Sequence, residues 1–131
     1  MNSEIRIVRS GDRDRGTAQT PGMDRAEGIG ACTVGAQNLW VGHVTVDKGV
    51  ESGAHHHGHV ESAIYILSGR ALFKYGTNLE HIVEAEEGDF IFVPPYLVHQ
   101  EINASSRELV QMIVARSSQE NIVVNVDVEV I

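Results

Sequence analysis

An all-β domain, folded as an antiparallel sandwich or closed barrel behind an irregular N-terminal arm, is what this 131-residue sequence predicts. Three observations carry the prediction. From Leu39 onward the apolar residues come in short runs rich in β-branched and aromatic side chains. Turn residues interrupt these runs every ~8–12 positions across about 90 residues. No segment carries the apolar stripe of an amphipathic helix. That many one-sided strands can be buried only by stacking or closing the sheet, which also protects its edges.

Taken in order, residues 1–30 are expected to form an arm or lid. Its stretch 9–30 holds five glycines and one proline without sustained periodicity, leaving room for at most one short helical turn after Pro21. The domain proper is expected over 31–131. Its first strand is LWVGHVTV, from Leu39 to Val46, closed by the turn signal Asp47-Lys48-Gly49. The runs SAIYILSG, RALFKYGTN, LEHIVEAEEGD, FIFVPPY and ELVQMIVARS follow as strands, each ended by Gly, Pro, Asn or Ser. In the tail, 121–131, Ile122, Val124, Val126, Val128 and Val130 alternate with the intervening positions, the period of a half-buried strand.

One compact domain is all that this length accommodates. Hydrophobic residues make up 42% and charged residues 21%, and no apolar run approaches the roughly 20 residues of a membrane-spanning helix. A soluble protein is therefore expected. The mixed-charge start MNSEIRIVRSGDRDRG has no apolar export signal, which makes the cytoplasm the expected location. With 18 acidic against 10 basic residues the formal charge is -8, which disfavours phosphate backbones and hence nucleic acid. Arg6, Arg9, Arg13 and Arg15 cluster in the arm and read as a solvated segment. The single cysteine, Cys32, excludes an internal disulfide and is given no role.

Chemistry concentrates in Gly53-Ala54-His55-His56-His57-Gly58-His59-Val60-Glu61. On an extended strand His55 and His57 share a face, about 6.6 Å apart, close enough for both rings to reach one ion. His56 points the other way. An unbroken strand would spread His55, His57, His59 and Glu61 over roughly 20 Å, so the backbone must bend, and Gly58 permits the bend. Such a bend is expected to bring Glu61 back over the histidine pair and to leave His59 at the rim, as its substitute. A second segment, from Gly88 to Asn103, ends one strand at Pro94-Pro95 and starts another that carries His99. The expected metal ligands are thus His55, His57, Glu61 and His99, a mixed imidazole and carboxylate set suited to a transition metal. Lone histidines His43 and His81 read as structural, with His43 a candidate for the barrel interior.

These residues resemble the two sequence motifs of the cupin superfamily. Gly49, His55, His57 and Glu61 match the opening of the first, and its closing glycine, Gly69, falls one residue late, a shift that a bulge between Glu61 and Tyr65 would absorb. Gly88, Pro94, His99 and Asn103 match the second motif, with Tyr96 in place of its middle glycine and a slightly altered turn implied there. The resemblance covers 49–103. It implies a double-stranded β-helix, or jelly-roll barrel, of six to eight strands. It also implies a divalent metal held by three histidines and a glutamate, and frequently a homodimer, for which the tail 121–131 is the natural segment to exchange.

The metal could be iron, manganese, zinc, nickel or copper, and the catalytic side chains are not readable. Trp40, Val44, Tyr65, Phe73, Phe90, Phe92 and Met112 are the candidate lining, according to which parity faces inward. Gln100 or Glu101 could orient ligands. An apolar lining favours a small organic substrate that chelates the metal. The expected function is a metal-dependent enzyme, a dioxygenase in type. A zinc-type cyclase or isomerase, or a non-catalytic small-molecule-binding protein, is the alternative.

Overall fold

The computed structural model describes residues 4–17, 19–120 and 122–128. Among the described residues ten strands, more than the six to eight expected, form two five-stranded antiparallel sheets facing each other, the jelly-roll barrel that the resemblance implies. In chain order they are β1 (Met23–Ile29), β2 (Trp40–Val46), β3 (His55–His56), β4 (Ser62–Ser68) and β5 (Arg70–Tyr75). They continue as β6 (His81–Glu86), β7 (Phe90–Val93), β8 (His99–Ile102), β9 (Val110–Arg116) and β10 (Val124–Asn125). One sheet runs β1-β2-β9-β4-β7 and the other β10-β3-β8-β5-β6. Among the described residues no helix is long and apolar enough to cross a membrane.

Alternation decides which side chains enter the barrel. Trp40, Val44 and Val46 of β2, Ile64 and Ile66 of β4, and Val110, Met112 and Val114 of β9 all face inward, and Phe73 of β5 meets them from the other sheet. Outward positions of the same strands are only half-covered, and His43 is one of them, so it faces away from the interior. The candidate lining divides in the same way. Trp40, Val44, Phe73 and Met112 are buried, whereas the Tyr65 and Phe90 rings meet at a tilt, 4.7 Å apart, on the outer face and Phe92 is largely exposed.

Two expectations about the ends of the chain need correction. The arm expected over 1–30 contains β1, which pairs with β2 along its length, so the sheet begins at Met23. Its period was hidden because two of its inward positions, Arg25 and Glu27, are charged yet buried. Pro21-Gly22 forms the turn into this strand, closed by a Met23 N–H to Thr20 C=O bond of 2.9 Å with Gly22 at φ 82°. A short α-helix, α1 (Ala31–Val34), follows β1 instead of Pro21. At the other end, regular pairing among the described residues of the tail is confined to Val124 and Asn125, which lie against His56 and His55 of their own chain. Both are exposed, and the rest of the described tail is not strand. Asn121 and residues 129–131 of that expected strand lie outside the described residues.

Candidate metal centre

β3 and β8 lie side by side with His55 directly opposite His99, and His57 follows β3 by one residue beyond its end. The chain then bends at Gly58, which has φ 60°, and Val60 N–H closes the turn onto His57 C=O at 3.2 Å. The result is three buried imidazoles with ring centroids 4.5, 5.0 and 5.3 Å apart, each offering a ligand atom within 4.8 Å of the others.

Every one of these rings is anchored through the same nitrogen. Nδ1 of His55 lies 2.7 Å from Gly53 C=O, that of His57 2.8 Å from Ile122 C=O, and that of His99 2.9 Å from Leu97 C=O. A carbonyl can only accept, so each Nδ1 carries a proton, and in the neutral ring that leaves the lone pair on Nε2, the tautomer a metal ligand needs. Nε2 of His55 is buried without a hydrogen-bond partner. Burial pushes the His55 ring below its ordinary pKa against the opposing charge of Glu101. Burial, aided by the positive charge of Arg116, pushes His57 down to about 3. Both rings are therefore neutral at pH 7, ready to bind a cation without releasing a proton. The donors present fit a transition metal ion, and the triad suggests one.

Glu61 is not brought to this cluster. The turn at Gly58 sets β4 so that Ser62, Ile64 and Ile66 face inward, and Glu61 consequently points to solvent. Its main chain is tied instead to Ser117, through the Glu61 N–H to Ser117 Oγ at 3.0 Å and the Ser117 N–H to Glu61 C=O at 3.1 Å. No bulge separates Ser62 from Tyr65, whose pairing with β7 is continuous. Counting back from Gly69, the motif's acidic position with six intervening residues is therefore Ser62, with four residues between it and His57. His59 does not substitute: it is exposed, with Nε2 3.7 Å from the Glu120 carboxylate.

Tyr96, in the place of the second motif's middle glycine, adopts φ 61°, the left-handed conformation a glycine would supply, and its N–H donates to Gly58 C=O at 2.7 Å. The turn carries a steric cost at Tyr96. Asn103 is buried and braces the exit of β8, its Nδ2 donating to Val46 and Glu108 carbonyls at 3.2 and 2.8 Å. Gln100 faces away and donates to Ser52 C=O at 2.8 Å.

Beneath the histidines lies a cavity of about 10 Å3 whose polar lining includes His57, His99, Ser62, Glu101, Arg25 and Arg116. The two arginines were not anticipated. Arg25 enters from β1, inside the supposed arm, and donates to Thr20 Oγ1 at 2.7 Å. Arg116 pairs across strands with both Trp40 and Ser62 and lies 4.7 Å from the Trp40 ring. Burial, then the charge of Arg25, lowers the Arg116 guanidinium to about 10. Val93 and His99 also border a larger apolar pocket of about 410 Å3, walled by Phe73, Tyr75, Val83 and Ile91 with Phe92 at its rim. Cys32 stands apart from all of this, exposed, its thiol pushed up chiefly by the charge of Glu27 and so kept protonated.

Compared with known proteins, residues 42–115 match the family described as the cupin domain. A search of curated proteins finds no match. Among solved structures the chain resembles the polyketide cyclase RemF from Streptomyces resistomycificus, with a TM-score of 0.75 and 18% identity over 96% of this chain and 88% of that one. It is similarly close to an uncharacterised double-stranded β-helix protein from Klebsiella pneumoniae, with a TM-score of 0.71 and 18% identity over 95% and 99% of the two chains. An oxalate oxidase gives 0.69 and 18% over 84% of this chain and 59% of its own. At such identities the shared property is the fold.

Proposed function

Since this chain belongs to the cupin domain family, we propose that it is a metal-dependent enzyme, a dioxygenase in type, acting on a small organic molecule with two neighbouring oxygen donors. The observation that carries the reading is the convergence of three imidazoles whose Nε2 lone pairs are free, beside an apolar pocket of about 410 Å3. A divalent ion of iron, manganese, zinc, nickel or copper held by His55, His57 and His99 would supply Lewis-acid or redox chemistry there.

The chain itself contributes binding, orientation and exclusion of water. Phe73, Tyr75, Val83 and Ile91 offer a dry wall to the hydrocarbon part of a substrate, which leaves its oxygen donors to reach inward past Val93 and His99. The Nδ1 anchors fix the three rings before any ligand arrives, so little side-chain order has to be gained on binding. In the same reading the protein works in the cytoplasm as a homodimer, with exposed Phe90 and Phe92, beside half-buried Tyr65, as supporting surface. Exchange of the tail 121–131 is one way such a pair would form.

Oxygen uptake by the iron-loaded protein, offered a panel of small enols, diketones and thiols, tests the proposal. Consumption with at least one chelating substrate under iron, and none under zinc, is expected. The competing reading is a zinc-type cyclase or isomerase, favoured by the likeness to a polyketide cyclase along nearly the whole chain. Turnover under zinc without oxygen would establish that reading instead, and tight retention of an unreacted ligand would make the protein a binding module.

A further inference from the structure

Two oxygen atoms in the cavity beneath the histidines are buried without hydrogen-bond partners, and they come from different strands: Ser62 Oγ from β4 and Glu101 Oε2 from β8. Ser62 occupies the position at which the spacing to Gly69 places an acidic residue, and a hydroxyl brings no charge to a cation. Glu101 is two residues beyond His99, on the same face of β8, and is 5% exposed. A carboxylate oxygen left unpaired in a closed interior is costly, so something is expected to satisfy it.

Arg25 and Arg116 border the same cavity as Glu101 and set two positive charges against its one. A countercharge role accounts for the presence of an acid at this position. It leaves Oε2 without a partner all the same. The cavity that Oε2 borders, at about 10 Å3, has room for about one water-sized group, and two of its other walls are the histidines His57 and His99.

We propose that Glu101 supplies the anionic ligand of the metal centre, from strand β8 of the facing sheet instead of the β4 position that Ser62 holds. This rests on the reading of the histidine triad as a metal site. The carboxylate is outside the group of atoms that meet within 4.8 Å, so ligation requires the Glu101 side chain to rotate toward the ion as it enters. The resulting donor set is three imidazoles and one carboxylate, with β8 contributing both His99 and Glu101.

The test uses the metal-stripped full chain titrated with Co2+ in competition with a chromophoric chelator, the Co2+ absorption spectrum being read in parallel. Glu101→Gln is expected to lose at least about 10-fold in affinity and to change the spectrum. Adding Ser62→Glu to Glu101→Gln is expected to restore most of both, because it puts a carboxylate at the β4 position. A purely structural countercharge would give no such rescue of the spectrum. Should Glu101→Gln fail to fold, Glu101→Asp keeps the charge between the arginines while shortening the reach, and the same loss of affinity and spectral change are expected at unchanged thermal stability. Wild-type affinity and spectrum in whichever variant folds would overturn the role of Glu101. If the wild-type chain bound no Co2+, or His55→Ala bound it as tightly as wild type, the metal centre itself would fall, and this assignment with it.

Discussion

The Nδ1–H of His57 donates to the backbone carbonyl of Ile122, 2.8 Å away and 65 positions further along the chain. Of the three histidine anchors it is the one that spans the sequence, since Gly53 and Leu97 each lie two residues from the ring they hold. The C-terminal segment thus fixes a candidate ligand without contributing a side chain to the site. It is held in place in turn by the Val126 N–H to Ala54 C=O bond of 3.0 Å and by β10.

Removing the chain from Ile122 onward should therefore weaken metal binding by about 10- to 100-fold, the usual effect of losing a group that orients a ligand. The barrel core, which contains none of these residues, should stay folded. Chelator competition and near-ultraviolet circular dichroism on the truncated chain check both halves of the statement.

Glu61→Ala and His59→Ala should each leave metal affinity within about twofold of wild type, because both side chains are exposed away from the triad. Competition titration of the two variants beside Ser62→Ala checks it. A large loss in Glu61→Ala alone would mean that the inward parity of β4 begins one residue earlier than Ser62.

Protonation offers a separate handle on the metal-free protein. His57, with a folded pKa of about 3, is neutral where an unfolded histidine, near 6.5, is charged. Between those values the unfolded chain binds more protons, so stability rises with pH across this window. The contribution is fully present above about pH 6.5, declines as pH falls below it, and is gone below about 3. Urea titrations of metal-free protein at a series of pH values should show that decline, and His57→Gln should flatten it.

Packing separates the two faces of the first sheet. Met112 is fully buried in the core, and Met112→Ala should cost about 2–5 kcal/mol in chemical denaturation. Phe90, 79% exposed, should cost far less when changed to Ala. If the outer aromatic face joins two copies of the chain, Phe90→Glu combined with Phe92→Glu should yield monomers by light scattering without loss of the fold. A wild-type chain that is already monomeric would remove that interface from consideration.

How much of this could be read in the residues depends on how local each signal is. Strand periodicity in β2 and β9, the HxH pair and the bend at Gly58 are all short-range, and each is legible from residue type and spacing. β1 was not, since the barrel interior there accepts Arg25 and Glu27, and a charged inward row looks like a loop. Glu61 follows from the bend expected at Gly58 and from its spacing to His57 in the first motif. The side of β4 on which it lies is set by where the turn after Gly58 ends, which spacing alone left one residue ambiguous. Glu101 shares the parity of His99 and was within reach of sequence reasoning as a residue that orients ligands, whereas Arg25, Arg116 and Ile122 are joined to the site only by tertiary pairing.

The most direct test is the metal content of the full chain and of His99→Ala, measured by elemental analysis after loading with a divalent transition ion and exhaustive dialysis. About one ion per chain in the wild type and essentially none in His99→Ala is the predicted result, as expected for a single site built on three converging imidazoles. An equal ion content in the two proteins, or none in either, would contradict the account.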